Sequence, residues 1–451
     1  ELDARIMLAI YLLENGNKVF LGHKSEINNI ALNSSNAIYI SKSCALIDYS
    51  FLKKLKERNF YILVIDEEAI VHQSEATHLK SRFADESLSI LDRYFAWGEY
   101  DASMIKRYFP RFYHKVTLTG NPRIDILKKS LRPYLDKSVK SIKARFGDYI
   151  MIPSSFAMCN HFYERGPRLK WRESLGMISN DSDRIFYTKY YEHFDAIFKI
   201  FLKDIKRLAE SFPTLNFVFR PHPSENKNTL INAFKDIKNV HIVYEESVLP
   251  WLLASKFVIH NGCTTAIESF LLDKHIISYR PFLDDRYDLE LPNSISLQVF
   301  NYEELFKEVK KSISKEFDLS YRFKSKKILE KYLHNAYSGE NYAPLKIIEE
   351  INKFKFIYTK VAIKSYIFSF LSKIYSNALK IIIYLLKPIK NFIFKKKTKS
   401  NYKMQKFPGL NIYDLQSRLN TLAPLLGKDS KNYIIKKIKK NSFILSTNKK
   451  L

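Results

Sequence analysis

Residues 217–225 read FVFRPHPSE and residues 241–281 read HIVYEESVLPWLLASKFVIHNGCTTAIESFLLDKHIISYRP. Four short apolar runs, 216–219, 240–244, 257–260 and 275–279, have the length and β-branched content of buried strands. The segments between them suit helices. That alternation predicts a parallel α/β sheet whose ligand site sits at the carboxyl ends of the strands. Polar residues gather at those ends. Arg220 and His222 follow the first run; Asn261, Gly262, Thr264 and Thr265 follow the third and open a helix that carries Glu268.

A glycine turn lets backbone approach a ligand closely, and the unpaired N–H groups of a helix start attract phosphate. Thr264 and Thr265 add hydroxyl donors, Arg220 and His222 are placed to meet the same phosphate from the neighbouring strand, and Glu268 suits the vicinal diol of a ribose. Taken singly, each has a structural reading as helix cap, loop histidine or solvated carboxylate. Taken together, at successive strand ends, they predict an anion-binding pocket.

RPHP followed by HNGCTTAIES resembles the donor-binding half of GT-B glycosyltransferases of bacterial surface polysaccharide assembly. The pattern is most similar to surface carbohydrate biosynthesis proteins and, more distantly, to β-Kdo transferases and CDP-glycerol glycerophosphotransferases. The resemblance runs through ELDAR at 1–5, DEE at 66–68, FAWGEYD at 95–101 and TGNPRID at 119–125, with FPGL at 407–410 a further element. It implies a GT-B fold of two Rossmann-like domains facing a cleft. It also implies metal-independent catalysis, in which helix termini and basic groups neutralise the leaving phosphate.

A chain of 451 residues is long enough for two cores. The expected division is an acceptor-side domain at 1–130, a linker at 131–148, a nucleotide-sugar-binding domain at 149–335, closing helices at 336–356 and a basic amphipathic tail at 357–451. ELDAR already reads as a helix, so the first strand of the amino-terminal domain is expected to be missing. Cys44, Cys159 and Cys263 have no paired spacing. That speaks against a disulfide framework or a zinc site and suits a reducing cytoplasm.

The apolar run that starts at Tyr61 ends in Asp66, Glu67 and Glu68. Three acids at one strand end are costly together unless they meet water, a cation or donors. Glu67 or Glu68 is the expected catalytic carboxylate, either base for the acceptor hydroxyl or covalent nucleophile. His72 and Gln73 follow at the same mouth. Asn121 and Arg123, in the TGNPR turn, are candidates for an acceptor or donor phosphate. The loop after the strand at 149–156 offers Asn160, His161 and Glu164 to the sugar, and His222 joins the catalytic set. Asp284, Asp285 and Asp288 read as a solvated loop rather than a metal site.

Residues 353–451 carry 23 Lys+Arg against 2 Asp+Glu, that is +21 of the formal +27. The segment 361–399 is strongly apolar but broken by lysines, and no run reaches the ~18–20 residues of a spanning helix. It reads as a helix lying in an anionic membrane surface. Its aliphatic runs speak against nucleic acid. Residues 409–440 are expected to form a small helical element and 441–451 to fray. The combined reading is a glycosyltransferase, peripheral on the inner face of a bacterial plasma membrane. It would move a sugar from a nucleotide-activated donor to a lipid-linked surface polysaccharide acceptor, without cofactor or metal. The alternatives are a CDP-glycerol or CDP-ribitol polyol phosphotransferase and a non-catalytic membrane-bound partner of the same fold.

Overall fold

The computed structural model describes residues 1–72, 74–162, 165–174, 176–355 and 409–448. The segment 361–399, Gln73 and Glu164 lie outside these residues, and with them the expected membrane helix.

The first strand, β1 (Val19–Gly22), stands apart from the four that follow: β2 (Ile38–Ser41), β3 (Tyr61–Val64), β4 (Arg93–Ala96) and β5 (Val116–Leu118). These four form one sheet in the order β2-β3-β4-β5, every pair parallel. Parallel neighbours require crossover connections, and the helices Leu46–Lys56 and Glu99–Tyr108 supply two of them. The order is monotonic, as on one flank of a doubly wound sheet.

The second sheet holds β6 (Tyr149–Pro153), β7 (Asn216–Arg220), β8 (Val240–Ile242), β9 (Phe257–His260), β10 (His275–Tyr279) and β11 (Leu297–Val299). Their order is β11-β10-β9-β6-β7-β8, again all parallel. Counted from β6, this is the 3-2-1-4-5-6 arrangement of a dinucleotide-binding fold. Every residue of β6, β9 and β10 is buried, which explains why these strands read as continuous apolar runs rather than alternating ones. The helix Asp181–Ser211 covers one face through Phe194, Ile197, Phe198, Phe201, Ile205 and Leu208, packed with Phe217 and Phe219 of β7. Asn180 caps its start by accepting from Asp183 N at 2.8 Å. Each fully buried side chain of this size contributes about 1.5–3 kcal/mol.

The carboxyl segment departs from expectation. After the helix Ile412–Leu425 the chain forms β12 (Tyr433–Lys439) and β13 (Ser442–Thr447), an antiparallel hairpin whose second strand pairs with β1. The stretch 442–447 is therefore not frayed, and the end of 409–440, Tyr433–Lys439, is strand rather than helix. The partner that orders β13 lies at the other end of the sequence, out of reach of any local pattern. Gly22 belongs to this junction: a Cβ there would stand 2.3 Å from the Asn441 carbonyl oxygen. The first helix, Leu2–Glu14, is consequently buried on nearly every side. Its Asp3 accepts from Tyr134 Oη at 2.6 Å and pairs with Arg418. The helix Ala343–Ile351 joins the same unit, sharing a cluster with Leu8, Leu12, Leu63, Ile65 and Phe95.

Candidate functional site

In a 3-2-1-4-5-6 sheet the strand order reverses between the first and fourth strands, and the crevice outside their carboxyl ends is the usual ligand site. Here that point lies between β6 and β9. Three end loops meet around it. Ser155 Oγ, after β6, donates to the Asn261 carbonyl, after β9, at 2.6 Å. Phe162 N donates to Ser224 O at 2.8 Å and Asn226 N to Asn160 O at 2.9 Å, so the loops after β6 and β7 are laced together.

Glu225 ties that lacing. It is fully buried, accepts from Ser154 Oγ at 2.7 Å and takes the His222 backbone N–H at 3.2 Å. Burial pushes its carboxyl from the ordinary 4.5 up to about 7. Sequence reading missed Glu225. Its only signal was an acid three residues after a strand-end histidine, a spacing that lets a side chain return to the backbone of its own loop. His222 itself is exposed. Its Nδ1 accepts from Ser224 N at 3.1 Å. In the neutral ring this places the proton on Nε2.

Arg220, expected to face a phosphate beside His222, is engaged by the turn after β8. Its guanidinium donates to the carbonyls of Glu245 and Glu246, each at 2.6 Å, beneath Tyr244 and Trp251. The turn after β8 leaves two carbonyls side by side, with Glu246 at a positive φ of 51°, and a planar fork of donors satisfies both.

The loop after β9 divides its candidates. Asn261 is buried and donates through Nδ2 to the Tyr279 carbonyl at 2.8 Å, so its side chain joins β9 to β10 rather than facing a ligand. Gly262 has φ +57°, and an added Cβ would meet nothing nearer than 3.9 Å; glycine is required there by backbone conformation, not by space. Thr264 is exposed at the mouth. Thr265 is buried with its Oγ1 3.1 Å from Cys263 Sγ.

Glu268, expected to suit a ribose diol, is engaged as well. Its Oε1 receives Nε and a terminal amino group of Arg123 at 3.1 and 2.8 Å. The two candidates are thus brought together, one from each α/β unit, and the carboxylate is engaged across the cleft instead of being open to a ribose. Glu268 and the nearby Glu67 hold the Arg123 guanidinium further above its ordinary range. Asn121 caps this turn by accepting from Arg123 N at 2.8 Å. Asn160 is buried, its Nδ2 on the Asn226 carbonyl at 3.1 Å, and the backbone of His161 pairs with that of Glu225 in an isolated antiparallel β-bridge.

The three acids after β3 are met by arginines. Asp66 is fully buried and receives Arg82 Nε at 3.0 Å, Glu67 pairs with Arg5, and Glu68 is mostly exposed, 3.4 Å from Arg82. Asp284 is bound by Arg286, and Asp288 by Arg280.

No family model and no curated protein sequence matches the chain. Solved structures do. The UDP-GlcNAc 2-epimerase from Neisseria meningitidis bound to UDP-GlcNAc is 16% identical, with TM-score 0.46, over 73% of this chain and 80% of that one. A UDP-GlcNAc 2-epimerase from Methanocaldococcus jannaschii in complex with UDP-GlcNAc and UDP is 14% identical, with TM-score 0.46, over 73% and 79%. The wall teichoic acid polymerase TagF, as a histidine-to-asparagine variant with CDPG, is 12% identical, with TM-score 0.45, over 70% and 71%. The architecture described above is two parallel α/β units with a cleft between them, the second in the strand order of a dinucleotide-binding fold.

Proposed function

We propose that the protein is a GT-B glycosyltransferase that moves a sugar from a nucleotide-activated donor to a lipid-linked surface glycan. The observation that carries this reading is the convergence of the loops after β6, β7 and β9 on one switch point, with His222 and Thr264 exposed there. As the glycosidic bond breaks, negative charge develops on the leaving nucleotide. The His222 Nε2–H and the Thr264 hydroxyl are donors held on short loops, so little reorganisation is needed to stabilise that charge. Glu67 and Glu68, at the carboxyl end of the opposing sheet, are the carboxylates available to accept a proton from the acceptor hydroxyl. Glu68 is the more accessible of the two. The basic, apolar stretch 361–399 would hold the enzyme at an anionic membrane surface, where a lipid-linked acceptor lies. We assign no metal or cofactor to this reaction.

The test is a screen of UDP, CDP, CMP and their sugar derivatives for thermal stabilisation. A ligand that binds only the folded chain raises its stability by RT ln(1 + [L]/Kd). At least one nucleotide should raise the melting temperature of the wild type and leave His222→Ala unshifted. If none stabilises the wild type at millimolar concentration, the transferase reading fails.

A further inference from the structure

A cavity of about 180 Å³ opens between the two units, away from the Arg123–Glu268 contact. The segment from Glu68 to Arg82 forms one wall, with His72 and His78 on it; Arg172 and Tyr187 belong to the other. Arg82 is neutralised by Asp66 and Glu68. Arg172 differs. Its Nε donates to Tyr191 Oη at 2.8 Å and its guanidinium lies 4.2 Å from the Tyr187 ring centroid, which fixes the plane of the fork. Among the described residues its two terminal amino groups reach only thioether sulfurs, Met177 at 3.7 Å and Met158 at 3.9 Å. Sulfur is a weak acceptor, and among the described residues Arg172 has no carboxylate partner.

The opposite wall carries a second irregularity. His72 and His78 stack with centroids 4.4 Å apart, and His72 Nε2 lies 3.2 Å from Tyr100 Oη. His78 is 3% exposed, yet its Nε2 has no partner among the described residues, nor has His72 Nδ1. Burial pushes the His78 imidazole down to about 3, so at neutral pH it offers a hydrogen bond without charge. The cavity is smaller than the roughly 300–1,000 Å³ of sites for drug-sized ligands. It suits one sugar ring better than a whole nucleotide.

We propose that this cavity is an anion-recognising subsite, separate from the switch-point pocket, for a sugar-sized ligand bearing a carboxylate or a phosphate. Arg172 is its anchor, because a planar guanidinium pairs with either oxyanion through two parallel hydrogen bonds. The imidazoles of His72 and His78 and the hydroxyls of Thr77 and Ser81 take the neutral oxygens of the same ligand. Placing this ligand on the acceptor side rests on the transferase reading; the anion preference does not.

The experiment is calorimetry on the full chain with glucuronate, glycerol phosphate and glucose, comparing wild type with Arg172→Gln and Arg172→Lys. At least one anion should bind the wild type. Glucose and Arg172→Gln should each weaken binding about tenfold or more, ~1.4 kcal/mol, with Arg172→Lys recovering only part. A preference for glycerol phosphate identifies phosphate as the recognised group, and a preference for glucuronate identifies a sugar acid. Should Arg172→Gln fail to fold, nitrogen-detected NMR of the wild type still decides: the bound anion should raise the titration midpoint of His78. Equal binding of glucose, undiminished binding by a folded Arg172→Gln, or no binding of either anion overturns the subsite. UDP and CDP titrations run alongside read the other pocket. Anion binding without nucleotide binding would sink the transferase reading and leave this one standing.

Discussion

Arg123 and Glu268 are 145 positions apart and meet across the cleft, with an Arg123 amino group 2.8 Å from Glu268 Oε1. Arg123 sits in the turn after β5, and Glu268 one turn into the helix after β9. The pair therefore joins the carboxyl end of one sheet to the switch point of the other. Removing one partner leaves the other charge poorly satisfied. Arg123 is about one-third exposed, so the penalty is smaller than for a fully buried pair. Arg123→Ala and Glu268→Ala are each expected to cost about 1–3 kcal/mol in urea unfolding. The double variant should cost clearly less than the sum of the two. Strict additivity would mean that the contact contributes nothing in solution.

Glu225 makes stability depend on pH in a definite direction. Its folded carboxyl titrates near 7 and its unfolded one near 4.5. Between these values the folded chain holds a proton that the unfolded chain has released. Its contribution is therefore complete below about pH 4.5 and is lost as pH rises through about 7. Asp101, also pushed up to about 7 by burial, acts in the same sense, so the comparison must be with a variant. Glu225→Gln keeps a carbonyl for the His222 N–H and removes the titration. The stability difference between wild type and Glu225→Gln should shrink by on the order of 3 kcal/mol between pH 4.5 and 8. Parallel curves for the two proteins would refute it.

His222 and Arg220, two residues apart in one motif, are predicted to fail differently. His222 is exposed, so His222→Ala should change stability by no more than about 0.5 kcal/mol while abolishing nucleotide-induced stabilisation. Arg220→Ala removes a buried guanidinium and its two hydrogen bonds to the Glu245 and Glu246 carbonyls and should cost about 1–3 kcal/mol. Calorimetry with the best-binding nucleotide separates the roles. If folded Arg220→Ala loses affinity as completely as His222→Ala, Arg220 touches the ligand after all.

The carboxyl segment should be tested in two pieces. Excising 361–399 while retaining 409–448 is expected to leave the melting temperature within a few degrees and to release the protein from vesicles containing anionic lipid. Deleting 409–448 instead uncovers Leu2–Glu14, whose packing includes Leu415, Leu419, Leu422, Phe443 and Leu445. That loss of burial should lower the melting temperature by well over ten degrees or prevent folding. Co-sedimentation unchanged by the first excision would dispose of the membrane role for 361–399.

The parallel sheet that carries the switch point was legible in the sequence because its strands are buried on both faces. The runs FVFR, FVIH and HIISY are then apolar except at Arg220, His260, His275 and Ser278, with no alternation of polar residues, and helices separate them. Strand ends, and hence the positions of His222, Gly262 and Thr264, follow from where those runs stop. What each side chain does there was decided by partners distant in sequence. Arg220 turns to the carbonyls after β8, Glu268 is claimed by Arg123, and Glu225 becomes a buried tie because Ser154 stands opposite it. The hairpin β12–β13 closing over the first helix is the same case on a larger scale. Periodicity records which residues need burial. It does not record which donor will satisfy which acceptor, since that depends on loops brought together only when both sheets have formed.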